Sequence, residues 1–505
     1  MKKIIVSAFA LVLFLVSGCE SPDQLIFDEV PTPIALATTD PTALAAFALT
    51  AYKPLVGTWG GHNSLWSMQE VSSDEMTIAI KGGDWTDGNS WTRMHEHGYL
   101  ATEESIGNGW AYCFSAIATI NNTLKAFGTS PLLRAELETL RAMVYLWLID
   151  AYGNVPIIIE TSTDPTPATR TRQEVYAFIE SSITTNLANL PKTKTYGTVN
   201  WYVAQAILAK LYLNAGIYAG TPQLQKASAA CEAIIAGGLY SLEANYFDNF
   251  KADNAGSKEN IFVINYDQVN GTGFNLAQMT LHYSSQATFN LAAQPWNGYA
   301  SLEEFYNSYA TADTRRNSFL AGPQFSSTGV RLTDTSFETG AFGDPDGENL
   351  TFTPFIAAVK PKPGVAPFGS LRQQGVRVGK FQFQTGATPD LSNDFPIFRY
   401  GDILLMKAEA LWRLNAADAN ALALVNQIRS RAGVPALVSL TEVALLAERG
   451  REMFAEGYRR SDLIRFGKYN EAWWEKPVSA PSKNIFPIPF NQTLVNPKLV
   501  QNPGY

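Results

Sequence analysis

The sequence has little cysteine, little histidine and no excess of positive charge. Its 505 residues include 3 cysteines and 4 histidines, and the formal net charge is −8. An acidic chain lacks the basic face that binds nucleic-acid phosphates, so we expect no nucleic-acid partner. Cys113 and Cys231 both fall in helical patterns. This favours two buried free thiols over a disulfide framework, and a bridge between them stays open.

The motifs of several enzyme classes are also missing. The chain contains no Gly-x-Ser-x-Gly, no phosphate-binding loop, no His-Glu-x-x-His and no Cys-x-x-Cys. We therefore predict no catalytic residue and no cofactor. Past the N-terminal segment, no apolar run in the sequence is long enough to span a membrane.

The N-terminus has the pattern of a secretory signal that ends in a cysteine. Two lysines precede the apolar run Ile4–Val16, and small residues then lead into Cys19. This ending resembles a bacterial lipobox, so we expect residues 1–18 to be a lipoprotein signal peptide and Cys19 to be lipidated. The alternative is an ordinary cleaved signal in which Cys19 is incidental. Residues 19–39, rich in Pro, Asp and Thr, are predicted to form a spacer.

Apolar residues recur at helical spacing through most of the chain. One such pattern begins at Ser130-Pro131 and continues to Ala151. We predict a mainly α-helical fold, a tetratricopeptide-like array of helical hairpins with a loop-rich capping subdomain. In the N-terminal region, residues 40–239, the predicted helices cover about 41–53, 104–126, 131–151, 171–190, 200–218 and 222–236.

The character of the sequence changes between residues 240 and 394. Gly, Pro, Asn, Ser and aromatic residues crowd this segment, and a long irregular segment inside a compact chain is usually functional. We predict that it forms the loop-rich cap, with short strands at Asn260–Tyr266 and Arg377–Phe383. In the C-terminal region, residues 395–505, helices are predicted at Phe395–Arg413, Ala416–Ala432 and Thr441–Phe454.

Two turn-rich segments combine tryptophan with hydrogen-bonding side chains. Aromatic planes stack on the C–H faces of sugar rings, and Asp, Asn and Arg bind sugar hydroxyls. We therefore predict a carbohydrate site. Its predicted residues are Asp84, Trp85, Asn89 and Trp91 in the loop 81–91, Trp296, Asn297 and Tyr299 in the segment 294–299, and, as weaker additions, Arg372 and Trp66. The alternatives are that single rings fill the core and that the second segment packs against the helix at Leu302.

Two short segments contain residue types that bind metal ions. His95-Glu96-His97 supplies two histidines and no third ligand, so solvent-exposed loop residues are favoured over a metal site. Asp344–Asn349 has oxygen ligands at alternating positions but lacks the remaining spacing of a calcium loop, so a plain turn is favoured. We predict no metal site and leave a calcium ion at the second segment open.

Five ordered motifs run along the chain. Residues 398–411 read FRYGDILLMKAEAL, residues 449–465 read RGREMFAEGYRRSDLIR, and the last residues contain FPIP, NP and QNPGY. Upstream, LRA at 140–142 is followed by YGNVP at 152–156. Together with the lipobox, these motifs resemble those of the SusD/RagB family.

The resemblance implies a lipid-anchored outer-membrane protein at the cell surface. Such proteins bind nutrient glycans without catalysis, sit as a lid on a TonB-dependent transporter of the SusC type, and pass oligosaccharides into it. The family's ligand contacts lie on variable loops, so the resemblance identifies no site residue. A peptide-binding, RagB-like relative is the main alternative. A glycoside hydrolase, which needs two converging carboxylates, is a further one.

Charged side chains on the apolar C-terminal helices need partners of opposite charge. We predict crossed ion pairs that stabilise the fold and do not act in catalysis. The residues in this prediction are Arg399, Asp402, Glu409, Arg449, Arg451, Glu456, Arg459 and Asp462.

Overall fold

The computed structural model describes residues 41–334 and 347–505, with side chains from residue 46 onward. Cys19, the predicted signal peptide and spacer, and the first residues of the predicted Asp344–Asn349 turn lie outside these ranges. Within them, no helix is both long enough and apolar enough to cross a membrane.

Helices account for most of the regular structure, and the strands are short. The α-helices are α1 (Pro41–Thr50), α2 (Leu65–Val71), α3 (Ser90–His95), α4 (Glu104–Phe127), α5 (Pro131–Ala151), α6 (Arg172–Asn186), α7 (Trp201–Leu213), α8 (Ala215–Tyr218), α9 (Leu224–Gly237), α10 (Leu276–Thr280), α11 (Gln286–Phe289), α12 (Glu303–Asn307), α13 (Tyr400–Leu414), α14 (Ala419–Arg431), α15 (Glu442–Met453), α16 (Arg459–Arg465) and α17 (Phe490–Val495). The strands are β1 (Met76–Thr77), β2 (Asn260–Ile264), β3 (Ala300–Ser301), β4 (Phe319–Leu320), β5 (Gly322–Pro323), β6 (Thr351–Phe352), β7 (Arg377–Val378) and β8 (Phe395–Arg399).

The N-terminal helices begin and end where local signals place them. Ser130 caps α5 by accepting the amide of Leu133, and Pro131 occupies the first helical position. At α6, Thr171 and Glu174 form a capping box. Neighbouring helices then pack in pairs, α4 on α5, α5 on α6, and α7 on α9. This arrangement confirms the predicted tetratricopeptide-like helical fold.

The segment Phe395–Arg399 was predicted as the start of a helix, and that prediction is wrong. It forms β8, which pairs antiparallel with β2, and α13 begins only at Tyr400. All five residues of β8 are buried. Four of them, Phe395–Phe398, are apolar, and so short an apolar run fits a buried strand as well as a helix. The predicted strand Arg377–Phe383 is likewise shorter, because only Arg377–Val378 pairs, with β4.

The predicted crossed ion pairs are present, and all of the residues named here except Arg451 and Asp74 are buried. Arg399 contacts Glu456 at 2.7 Å and Glu452 at 2.5 Å. Arg449 contacts Asp462 at 2.7 Å, and the same arginine reaches Asp402. Further pairs join Arg465 to Glu409, Arg451 to Glu448 and Arg459 to Asp74. These bonds connect β8, α13, α15 and α16, so the charged motifs of the C-terminal region stabilise the fold.

The two cysteines of the described ranges are free and buried, as predicted. Cys113 lies inside α4 and Cys231 inside α9. Burial raises the pKa of both thiols above its ordinary value. Both therefore act as small apolar core residues rather than as reactive groups.

Candidate functional site

The loop 81–91 and the segment 294–299 meet in the fold and bring two tryptophan rings together. The indole N–H of Trp85 donates to the carbonyl oxygen of Trp296 at 2.7 Å. Trp85 is half-buried, and 37% of Trp296 is exposed. Both rings lie within 6 Å of the His62 ring, and we call the rings of Trp85 and Trp296 together the platform. Only the tertiary fold creates it, because the two residues lie 211 positions apart.

Lys81 joins the backbone of the two loops. Its ammonium group is almost fully buried and donates to the carbonyl oxygens of Asn297 at 2.9 Å and Gly298 at 3.0 Å. In the first loop, Lys81 and Asp84 exchange backbone hydrogen bonds across a tight turn, in which Gly82 has a φ of +64°. This turn directs Trp85 towards the second loop.

Gly298 allows the ring of Trp85 to lie directly against the backbone. A Cβ at this position would lie 2.7 Å from Cε2 of Trp85, well inside van der Waals contact. Trp85 itself has a φ of +60°, a left-handed conformation that is uncommon for a bulky residue. Strain of this kind persists only where surrounding contacts fix the conformation, and it is typical of functional sites.

His62 lies at the centre of the aromatic cluster beneath the platform. Its ring centroid is 5.3 Å from Trp85 and 5.9 Å from Trp296. The Nδ1 atom is 2.8 Å from the hydroxyl oxygen of Tyr299. Burial lowers the pKa of His62 to about 4, so the imidazole is neutral near pH 7. The sequence analysis did not identify His62, although the preceding Gly60-Gly61 was a signal for a tight turn.

The carboxylate of Asp84 is engaged on one side of the platform. It accepts a hydrogen bond of 2.5 Å from the hydroxyl of Tyr283 and one of 3.2 Å from Nε of Arg372. Burial, and the bond to Asp84, raise the pKa of the Tyr283 hydroxyl, so it remains a donor. Tyr283 is a second residue that sequence reasoning missed.

Exposed polar groups border the platform on the loop 81–91. Asp87 and Asn89 both lie at the surface, two and four residues after Trp85. Gly88 lies between them, and its carbonyl oxygen accepts a hydrogen bond of 2.6 Å from Arg93. Arg93 is in turn paired with Glu103 at 2.6 Å. The loop therefore presents a carboxylate and an amide beside two aromatic rings.

Comparison with known proteins identifies the family. Residues 367–505 match the model described as the SusD family, and residues 56–213 match a model described as "Starch-binding associating with outer membrane". The chain belongs to the SusD family. The second match includes the loop 81–91, whereas Trp296 lies outside both.

Individual SusD-family proteins resemble the chain over most of its length. The "Starch-binding protein SusD" of Bacteroides thetaiotaomicron is 26% identical over 411 residues, which cover 74% of this chain and 72% of that protein. The "SusD-like protein P38" of Formosa agariphila is 25% identical over 402 residues, 73% of each chain.

Solved structures share the SusD-like fold. A "Laminarin binding SusD-like protein" has a TM-score of 0.70 at 22% identity, covering 92% of this chain and 99% of that one. "Surface glycan-binding protein A from Bacteroides thetaiotaomicron in complex with laminarihexaose" has a TM-score of 0.69 at 22% identity, with the same coverage. At this level of identity the likeness establishes the architecture.

Several side chains predicted for the site lie beneath the surface of this SusD-family protein. Trp91 was expected on a turn but lies on α3, with only 3% of its surface exposed. Tyr299 is fully buried, and its hydroxyl contacts Ser67 as well as His62. Trp66 is also buried and donates to the carbonyl oxygen of Ala455. These rings form the floor under the platform.

Asn297 and Arg372 are likewise buried and already bonded. The Asn297 amide donates to the carbonyl oxygen of Arg372 at 3.0 Å, and its oxygen accepts from Arg377 at 2.7 Å. The Asn297 side chain stabilises the second loop, and the Arg372 side chain is bonded to Asp84 of the first loop. Of the predicted residues, Trp85, Trp296 and Asn89 reach the surface, and Asp84 is partly exposed.

The expectation that His95 and His97 are solvent-exposed loop residues is wrong. Both rings are buried. Nε2 of His95 is 2.8 Å from the carbonyl oxygen of Trp474, and the His97 ring bonds to Ser72 and Ser479. Within the described ranges, no group of three His, Cys, Asp or Glu residues is placed to bind a metal ion.

Proposed function

We propose that this SusD-family protein binds an oligosaccharide on the Trp85–Trp296 platform, without cleaving it, and delivers it to a TonB-dependent outer-membrane transporter of the SusC type. The observation that carries the proposal is that the rings of Trp85 and Trp296 both reach the surface while the indole N–H of Trp85 is bonded at 2.7 Å to the backbone carbonyl oxygen of Trp296. Aromatic planes at fixed positions match the C–H faces of successive sugar rings.

The polar groups beside the two indole rings suit the hydroxyl groups at the edges of the same sugar rings. Asp87 and Asn89 provide a carboxylate and an amide at the surface, and such groups bind hydroxyls. Aromatic residues that are already fixed lose little side-chain freedom when a ligand binds. The relatives support the same class of ligand, since one is named for starch and another was solved with laminarihexaose.

The proposed location is the outer membrane, facing outward, with a lipid on Cys19 as the anchor. The family description "Starch-binding associating with outer membrane" supports this location. A spacer of about 20 residues gives a typical reach of roughly 25 Å, which leaves the protein free to open and close over a partner. Stable attachment needs two or more acyl chains.

A binding role is favoured over hydrolysis by the state of the carboxylates. Asp84 is ion-paired with Arg372 and accepts the Tyr283 hydroxyl, so it is not placed as a free acid. Asp87 accepts the indole N–H of Trp91 at 3.1 Å. A glycoside hydrolase needs two carboxyl groups that converge on one bond.

Calorimetry of the mature chain against starch fragments, laminarin fragments and peptides tests the proposal. We expect one oligosaccharide class to bind and Trp85→Ala or Trp296→Ala to weaken binding at least about tenfold. Trp201→Ala is the matched control, because Trp201 is half-exposed on α7, away from the platform. Binding of peptides alone would support the RagB-like alternative. Release of shorter sugars during the titration would show an enzyme.

A further inference from the structure

A groove of about 490 Å³ lies outside the platform, between α1 and β2. Its walls are the end of α1 with the following turn, the segment 196–198, the end of β2 and the turn 267–272. Its volume is in the range of small-molecule binding sites. No residue of the platform lines it.

One wall of the groove carries two tyrosine rings that the fold fixes through their hydroxyl groups. The hydroxyl of Tyr196 donates to Asp394 at 2.5 Å. The hydroxyl of Tyr52 donates to Glu136 at 2.7 Å and accepts the amide of Val199 at 2.9 Å. The rings are half-buried, so they are held in place before any ligand arrives, which reduces the entropy lost on binding.

Exposed hydrogen-bonding groups line the groove beside the tyrosine rings. They include Asn265, whose Nδ2 donates to Asp394, and Asn270 on the turn that follows β2. Asp267 accepts the amides of Val269 and Asn270 through Oδ1. These bonds lower the pKa of Asp267, so its carboxylate is charged near pH 7.

The groove has no excess of positive charge. Lys53 is exposed at the rim and has no ion-pair partner among the described residues. It is the one cation among the lining residues, against Asp267 in the lining and the carboxyl groups of Asp394 and Glu136 behind the tyrosines, which disfavours a phosphate or another highly charged anion. Tyrosine rings beside amides and a carboxylate are instead suited to a neutral polyhydroxylated molecule.

We propose that this groove is a second carbohydrate-binding site, which takes two or three units of a neutral oligosaccharide. This second proposal rests on the proposed function only in taking the ligand to be a carbohydrate. The segment between Val56 and His62 connects the groove to the platform, and Tyr266 fixes that segment by donating to Val56 and accepting from Gly60. Two sites on one protein bind a polymer more tightly than either site alone.

The test uses laminarihexaose and maltohexaose in calorimetry with the double variant Trp85→Ala/Trp296→Ala. No tryptophan lines the groove, so binding there leaves tryptophan fluorescence nearly unchanged. We expect the wild-type chain to bind two hexasaccharides and the double variant to retain one, detected by heat and not by fluorescence.

Variants of the groove complete the test. In the double-variant background, Tyr196→Ala removes the ring and should abolish the remaining binding, whereas Tyr196→Phe keeps the ring, loses only the bond to Asp394 and should weaken binding less. Thr272→Trp fills the exposed rim without removing a contact that the fold uses, and it should also abolish binding. Circular dichroism checks that each variant is folded.

The outcomes separate the two proposals. If the wild-type chain binds and the double variant binds nothing, the groove proposal is wrong and the platform proposal stands. If binding remains but neither Tyr196→Ala nor Thr272→Trp reduces it, the groove proposal is also wrong. If the wild-type chain binds no oligosaccharide, both proposals fail.

Discussion

Trp85 and Trp296 are joined by a single hydrogen bond from an indole N–H to a backbone carbonyl oxygen. The bond makes the orientation of one ring depend on the backbone that carries the other. Changes in the second loop should therefore act on ligand binding through Trp85, even where the altered residue is buried and distant from the ligand.

The first prediction concerns Gly298→Ala. The added methyl group would lie 2.7 Å from Cε2 of Trp85, so the ring must leave the backbone and lose its bond to Trp296. We expect oligosaccharide binding to weaken at least about tenfold. The tryptophan emission should shift to longer wavelength as the indole becomes more exposed, and fluorescence titration measures both effects.

Gly107→Ala is the matched control for this substitution. Gly107 lies inside α4, with no atom within 4 Å of an added Cβ, and alanine in a helix is favoured over glycine by up to about 1 kcal/mol. We expect unchanged binding and equal or higher stability. Binding by Gly298→Ala at the wild-type affinity would show that the orientation of Trp85 is unimportant.

The second prediction concerns Lys81→Met. Removing the ammonium group leaves the carbonyl oxygens of Asn297 and Gly298 without this donor. We expect the free energy of unfolding to fall by about 2 kcal/mol, since hydrogen bonds to charged groups contribute about this much. Binding should weaken in parallel because the loops separate. Lys226→Met is the control, since Lys226 is an exposed residue whose ammonium group contacts only the surface carboxylate of Glu180 and the ring of Tyr212 among the described residues. Equal effects of the two substitutions would contradict the argument.

The third prediction concerns the pH dependence of stability and comes from Glu70 and Glu75. Both carboxyl groups are fully buried and lie close to each other, and each accepts one amide of the loop 455–457. Without a proton between them, Oε2 of Glu70 and Oε1 of Glu75 have no donor. Burial raises the pKa of Glu70 to about 7 and raises that of Glu75 as well.

A raised pKa makes the shared proton stabilising at low pH. Unfolded glutamic acid ionises near pH 4.5, so this stabilisation is complete below that pH and disappears as the pH rises to about 7. The loss amounts to about 3 kcal/mol. Glu75→Gln replaces the proton with a permanent N–H donor. We therefore expect the difference in the free energy of unfolding between the variant and the wild type to change between pH 4.5 and about 7. Urea unfolding from pH 5 to pH 8 measures it, and parallel curves would contradict the shared proton.

The fourth prediction concerns the buried ion pairs. Burial alone would raise the pKa of Glu452, but Arg431, Arg399 and Arg315 outweigh it and keep the pKa well below its ordinary range. Glu452→Gln leaves these arginines without their shared carboxylate, and we expect a loss of about 3–5 kcal/mol in the free energy of unfolding. The exposed Glu232→Gln, which removes the surface partner of Lys407, should lose less than about 1 kcal/mol. Similar losses in the two variants would show that burial adds nothing.

Much of the fold was predictable because its signals are local. The limits of α5 follow from the Ser130-Pro131 cap and from apolar spacing that continues to Ala151. The error at Phe395–Arg399 has a physical cause: β2, the strand that pairs with this segment, lies more than 130 positions earlier. Nothing local distinguishes such a buried strand from a helix.

Part of the candidate site was also predictable from the sequence, and part was not. Composition alone indicated that tryptophans in turns beside Asp and Asn suit a carbohydrate, and Trp85 and Trp296 are at the surface. Composition did not show that Trp91, Asn297 and Tyr299 are buried, since a loop residue and a core residue can share one turn. His62 and Tyr283 were missed because their partners come from distant parts of the chain.

By itself, the sequence determined the helical architecture, the family and the ion pairs of the C-terminal region. Each of these depends on residue spacing along one segment or on complementary charge. Only the tertiary structure decided which rings face outward and which support them. Exposure is a property of the assembled surface, and the Trp85–Trp296 bond joins loops that no periodic pattern relates.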